Sequence, residues 1–173
     1  MPHTVYLGVG ANINPIENIL KAARLLSKRV SLLGSSGFYR SKAVGRENQP
    51  DFVTGVFKIG TDMTPVDLKF KVLRAIEQHL GRVRTADKNA PRPMDLDILL
   101  YDDLVLDEQG ITIPDPQITR YPFVFVPLLE LAPGLVLPSE EKKLADLVNV
   151  SDSCHGLLKM VELGRMLKER YGL

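Results

Sequence analysis

The sequence predicts an α+β fold of the ferredoxin-like βαββαβ kind, with helices on one face of the sheet and additions at the C-terminal end. Short runs rich in β-formers recur at Thr4–Gly10, Phe52–Ile59 and Asp95–Leu100. Between them, Asn14-Pro15-Ile16-Glu17 and Thr64-Pro65-Val66-Asp67 carry the cap, proline and acid of a helix start. With 173 residues the chain suits one compact domain, residues 1–173, in which 139–173 form a helical extension.

Taken in order, TVYLGVG reads as a buried first strand. Ile16, Ile19, Leu20, Ala23 and Leu26 then share a helical face, with Asn14 and Glu17 expected to form a capping box. Ser31–Arg40 reads as a second strand interrupted by Gly34 and Gly37, and Lys42–Pro50 as a loop. FVTGVFKI is the third strand. Leu68, Val72, Ile76 and Leu80 define a second helix that Gly81 stops. Arg82–Pro93 is irregular, DLDILL is the fourth strand, and Ile111–Ile113 is a short extended piece before Pro114. Phe123–Leu131 is apolar enough for helix or strand. The tail from Lys142 reads as two helices, the last carrying Leu157, Leu158, Val161, Leu163 and Leu167.

Composition narrows the function. The net charge of +1, from 22 basic and 21 acidic residues, lacks the broad positive field of a nucleic-acid or membrane-surface binder. A single cysteine, Cys154, excludes an intrachain disulfide, and the N-terminus shows no signal peptide, so a cytoplasmic protein is expected. His3, His79 and His155 have no metal-ligand spacing, and no P-loop is present.

The sharpest local pattern is PRPMDLDILL. Asp95 and Asp97 stand two apart on a strand, so both carboxylates leave the same face, roughly 6–7 Å apart along it. Such a pair suits Mg²⁺, which takes one or two carboxylates together with phosphate and water. Alone, the pair is equally a strand with a solvated acidic face. Just upstream, Arg82, Arg84, Lys88 and Arg92 place four cations within eleven residues. Cations beside a carboxylate pair are what phosphoryl transfer requires, since charge must be held on the migrating group. Glu77 reads either as an exposed helix charge or as a nucleotide contact. Phe52 and Phe123 read as core residues or as two rings that sandwich a flat heterocycle. The pair Gly8-x-Gly10 reads as a close-packed strand end.

Four segments in order make the chain resemble the 6-hydroxymethyl-7,8-dihydropterin pyrophosphokinases: YLGVGAN, AVGRENQPDFVTGV, GRVRTADKNAPRPMDLDILLYDDLVL and ITIPDPQITRYPFVFVPLLELAPGLVLP. The resemblance implies diphosphoryl transfer from ATP to a pterin alcohol in folate biosynthesis. It implies two Mg²⁺ ions on Asp95 and Asp97, with Arg82 and Arg92 steering the diphosphoryl group and Arg84 and Lys88 on the phosphates. Glu77, Ile98 and Thr112 match nucleotide positions. Phe52 and Phe123 match the rings that stack on the pterin, and Ser41, Lys42 and Val44 match its edge contacts. Thr54 stands on the pterin side where the family usually has asparagine. Tyr121 replaces an arginine, Asp115 a histidine that contacts nucleotide, Lys88 an arginine, and Asn89-Ala90 a tryptophan-glycine pair. Those departures leave two other readings to be weighed: the same transfer to a different pterin, or a non-catalytic nucleotide-binding module. The expected partners are small molecules, ATP and the hydroxymethyl-dihydropterin, with no nucleic acid and no membrane. A monomer is expected, with room for weak self-association through the C-terminal helix.

Overall fold

The computed structural model describes all 173 residues. In chain order the elements are β1 (His3–Ala11), α1 (Pro15–Leu26), β2 (Ser31–Ser35), β3 (Tyr39–Ser41), β4 (Phe52–Thr61) and α2 (Pro65–Asp67). A π-helical segment (Leu68–Leu73) leads into α3 (Arg74–His79), then β5 (Asp95–Tyr101), β6 (Leu106–Glu108), β7 (Ile111–Ile113), α4 (Gln117–Arg120) and α5 (Pro122–Leu131). The tail adds β8 (Val136–Leu137), β9 (Lys142–Lys143), α6 (Leu144–Leu147), α7 (Val150–Ser153), β10 (Leu158–Lys159) and α8 (Val161–Tyr171). No helix is long and apolar enough to cross a membrane.

The fold is a mixed α/β arrangement on an antiparallel sheet ordered β10-β3-β4-β1-β5, with β2 also pairing to β4. Alternation along β1 sends Val5, Leu7, Val9 and Ala11 into the larger core, where α1, the π-helical segment, α3 and α8 cover them. The opposite face carries a second core of Val56, Leu99, Phe125 and Leu128 under α5. Helices therefore lie on both faces of the sheet, not on one. A one-sided expectation missed this because α5 is apolar all round and Pro127 sits inside it, so periodicity gave no sign of which face it covers.

Three local expectations change. Asn14 lies in the left-handed region at φ 42° and caps nothing with its side chain; Glu17 instead pairs with Lys21 at 2.6 Å. Pro15 at the first turn is left as the start signal. Ser31–Arg40 is two strands, because the chain leaves β4 after Ser35 and rejoins it at Tyr39. Leu157 and Leu158 precede the final helix: Leu158 and Lys159 form β10, which pairs with β3 at the sheet edge. By contrast, Thr64 caps its helix as expected, accepting from the Asp67 amide at 3.1 Å.

Candidate active site

The register of β1 builds the floor of the site. Gly8 lies opposite Asp97 on β5 and Val56 on β4, and Gly10 lies opposite Asp95 and Thr54. With no side chain at either glycine, the face between the two aspartates and Thr54 is clear. A Cβ at Gly10 would come within 3.2 Å of the Thr54 methyl, and one at Gly8 within 3.3 Å of Leu99. The glycine pair therefore does more than end a strand.

A cavity of about 510 Å³ opens on this floor. Asp95, Asp97, Arg82, Arg84, Lys88 and Arg92 line it, as do Ser41, Lys42, Val44, Phe52, Thr54 and Phe123. Arg92 stands over the Phe52 ring, 5.8 Å from its centroid. Ile98 and Thr112 lie outside this cavity, in a second one of about 280 Å³ formed with Lys69, Asp115 and Gln117. Asp97 and Gln117 line both cavities, so the two meet at Asp97. Glu77 lines neither.

Charge in the site is arranged in a hierarchy. Arg82 Nη1 donates to Asp95 Oδ1 at 2.7 Å and lies 3.0 Å from Glu77 Oε1; Arg92 Nη1 donates to the other oxygen of Asp95 at 2.9 Å. Glu77 is only 2% exposed, so it is no solvated helix charge. Its carboxylate accepts from the Leu96 amide at 2.8 Å and from Arg84 at 2.7 Å, tying α3 to β5 and to the arginine loop. Burial raises the Glu77 pKa against the pull of the Leu96 amide and Arg82. Burial also works against the charge on Arg82, but Asp95 and Glu77 outweigh it and hold its pKa above the ordinary value.

Asp97 is different. No cation pairs with it, whereas Asp95 takes two. Burial pushes its pKa well above the usual carboxylate range, and the charges of Asp95, Asp115 and Glu77 push it further. Asp115 is itself raised by burial, although it accepts from the Gln117 amide at 2.8 Å. This concentration of negative charge is the fit of the site to a divalent cation. No third histidine, cysteine or carboxylate completes a cage around the aspartates. The remaining ligands would be phosphate and water, the set that Mg²⁺ takes.

Thr54 and Tyr121, two of the departures from the family pattern, have local roles. Pro127 has no N–H, so the Phe123 carbonyl four residues earlier lacks its helical donor. Thr54 supplies one: its hydroxyl donates to Phe123 O at 3.3 Å. Tyr121 lies flat on Phe123, with ring centroids 5.0 Å apart and 11° between planes, and Arg120 stands over the Tyr121 ring at 5.2 Å.

The two loops beside the cavity touch. Arg46 and Asp87 form an ion pair at 2.9 Å, and Gln49 donates to Asn89 O at 3.1 Å. Asn12 joins them to the floor, donating to Gln49 and accepting from the Arg92 amide at 2.8 Å. None of Asn12, Gln49, Lys69 or Glu130 stood out in the sequence, because each acts through a partner distant along the chain.

A family model described as 7,8-dihydro-6-hydroxymethylpterin-pyrophosphokinase (HPPK) matches residues 6–133. The chain belongs to the HPPK family. It is 39% identical over 141 residues to the 2-amino-4-hydroxy-6-hydroxymethyldihydropteridine pyrophosphokinase of Haemophilus influenzae, covering 80% of this chain and 87% of that one. The protein of the same name from Synechocystis is 37% identical over 153 residues, covering 87% of this chain and 77% of that one. Among solved structures, Plasmodium falciparum HPPK-DHPS aligns with all of this chain at a TM-score of 0.69 and 12% identity, a likeness of fold. The chain spans about half the length of that structure, 46%. The HPPK match ends at residue 133, so the whole C-terminal extension, residues 139–173, lies beyond it.

Proposed function

We propose that this HPPK chain transfers the diphosphoryl group of ATP to the hydroxymethyl group of 6-hydroxymethyl-7,8-dihydropterin, releasing AMP, as a step of folate biosynthesis. The observation that carries the reading is the meeting of two unlike sets of side chains in one cavity. Cationic and acidic groups share it with aromatic and hydrogen-bonding ones, on a floor of two glycines.

The pterin ring is held between Phe52 and Phe123. Its edge is bonded by Ser41 and by the backbone at Lys42 and Val44. The Ser41 hydroxyl is buried without a partner in the cavity lining, so a ligand donor or acceptor would satisfy it. The ATP base lies in the smaller cavity with Ile98 and Thr112, and its phosphates run past Asp97 into the larger one. Arg84 and Lys88 hold the phosphates, while Arg82 and Arg92 turn from Asp95 toward the migrating group. Glu77 acts from beneath by fixing Arg82 and Arg84. Asp95 and Asp97 would hold two Mg²⁺ ions, whose positive charge would stabilise the negative charge of the migrating diphosphoryl group. The pterin hydroxyl attacks the β-phosphorus in line, the bond to the α-phosphate oxygen breaks, and no covalent enzyme intermediate is needed. The loops Lys42–Pro50 and Arg82–Pro91 close over the substrates and exclude water.

The same reading takes residues 1–173 as one cytoplasmic, monomeric domain with small-molecule partners only. It takes the fold as ferredoxin-like, which the antiparallel order of β4, β1 and β5 with β2 and β3 beyond β4 supports. A second acceptor, another hydroxymethyl-pterin, is favoured by one observation: the Thr54 hydroxyl proton is committed to Phe123 O and is not free for a ligand.

Release of AMP from MgATP, measured against a panel of hydroxymethyl-pterins, tests both readings. Turnover with the 6-hydroxymethyl-7,8-dihydropterin supports the first. Turnover only with another pterin supports the second, and nucleotide binding without AMP would leave a non-catalytic module.

A further inference from the structure

We infer that Tyr39 and Glu130 are positioning residues that tie the two walls of the acceptor side together. The inference rests on the proposed pterin side of the cavity. One wall is the sheet face that carries Ser41, Phe52 and Thr54; the other is α5, which begins beside Phe123. In the register of β3 and β4, Tyr39 lies opposite Thr54 and Ser41 lies opposite Phe52. Residues two apart on a strand share a face, as do residues directly opposite in an antiparallel pair. Tyr39 therefore belongs to the same patch as Ser41, one step behind the cavity.

There it meets the far end of α5. The Tyr39 hydroxyl donates to Glu130 Oε1, and the Gly37 amide donates to Glu130 Oε2 at 2.8 Å. One carboxylate thus holds the start of β3 by two bonds. Lys159 of β10 lies 3.9 Å from the same carboxylate and 5.8 Å from the Tyr39 ring centroid. The Met160 amide donates to Phe38 O at 2.7 Å, so β10 closes the outer edge of the same short strand. Near the cavity, the Thr54 bond to Phe123 O joins the same two walls a second time.

The arrangement matters because β3 is three residues long and runs straight into the Lys42–Pro50 loop. Three residues of ladder give little hold on the direction in which the chain leaves the sheet. Setting Tyr39 on α5 sets Ser41, two residues on, against Phe123. Glu130 therefore governs the gap into which the flat acceptor fits, while the phosphate side depends on β5 and the arginine loop, which it does not touch.

The test is steady-state kinetics of the full chain carrying Tyr39→Phe or Glu130→Gln, with melting temperatures alongside. Each removes part of a charge-assisted tie and leaves the shape, so a rise of roughly fivefold to tenfold in the KM for the pterin is expected. The KM for ATP and kcat should stay within about twofold, a split that general loss of folded protein does not produce. Equal shifts in both KM values, or no shift in that for the pterin despite normal wild-type turnover, would overturn the inference alone. A wild-type protein that turns over no hydroxymethyl-pterin would overturn the acceptor reading and this inference with it.

Discussion

Arg82 reaches Asp95 at 2.7 Å through the same guanidinium nitrogen that lies 3.0 Å from Glu77. The Arg82 side chain is 11% exposed and that of Glu77 only 3%, so both sit where an unpaired charge is costly. Arg82→Ala is therefore expected to destabilise the ligand-free protein by about 3 kcal/mol, as loss of one partner of a buried pair does. Arg84→Ala should cost less, since Arg84 is 50% exposed. Chemical denaturation of the two variants checks the order; equal losses would contradict the burial argument.

Asp97→Asn should stabilise the ligand-free protein and abolish most turnover. The native carboxyl has its pKa raised by burial and by Asp95, Asp115 and Glu77. A raised acid favours the folded state at pH below its unfolded value, and that advantage is lost as pH climbs through the folded value. The gain in melting temperature of Asp97→Asn should thus be larger at pH 8 than at pH 4.5. A variant less stable than the parent at pH 8 would contradict the account.

Arg92→Ala should lower kcat by about a hundredfold or more with a much smaller effect on ATP affinity, if its contact forms mainly in the transition state. Asp95 keeps Arg82 in that variant, so the fold should survive. ATP affinity falling as far as kcat would make Arg92 a ground-state binder.

Asp115→Asn should raise the Mg²⁺ concentration needed for half-maximal binding of a non-hydrolysable ATP analogue by several-fold. Its carboxylate adds to the negative field at Asp97, and removing it weakens the attraction for a cation. Titration of the analogue at graded Mg²⁺ reads this directly. An unchanged Mg²⁺ midpoint would show that Asp115 is too well screened to contribute.

Much of the lining of the candidate site is legible in the sequence because it is written in local patterns. Asp95 and Asp97 alternate with Leu96 and Ile98, and the strand places them as period two requires. The arginine loop needed only proximity along the chain. What escaped notice depends on residues far apart in sequence. The pairing of Leu158 with Arg40 and the Glu130 bonds to Gly37 and Tyr39 each join distant segments. Leu157 and Leu158 looked helical because two leucines before a periodic run extend the pattern; pairing with β3 overrides it. Glu77 was hard to place because a charged residue on a helix is usually solvated, and only the Leu96 amide and two arginines make its burial tolerable.

The double hold on Asp95 has one more consequence. Arg82 and Arg92 both spend an Nη1 donor on Asp95, so an anion entering the cavity must compete with that carboxylate for them. Inorganic phosphate or a stray nucleic-acid strand finds few free guanidinium groups and brings nothing to replace them on the aspartate. A triphosphate carrying divalent counterions would bring phosphate for the guanidinium groups and a cation for the aspartate, so these ion pairs would favour it over a bare anion.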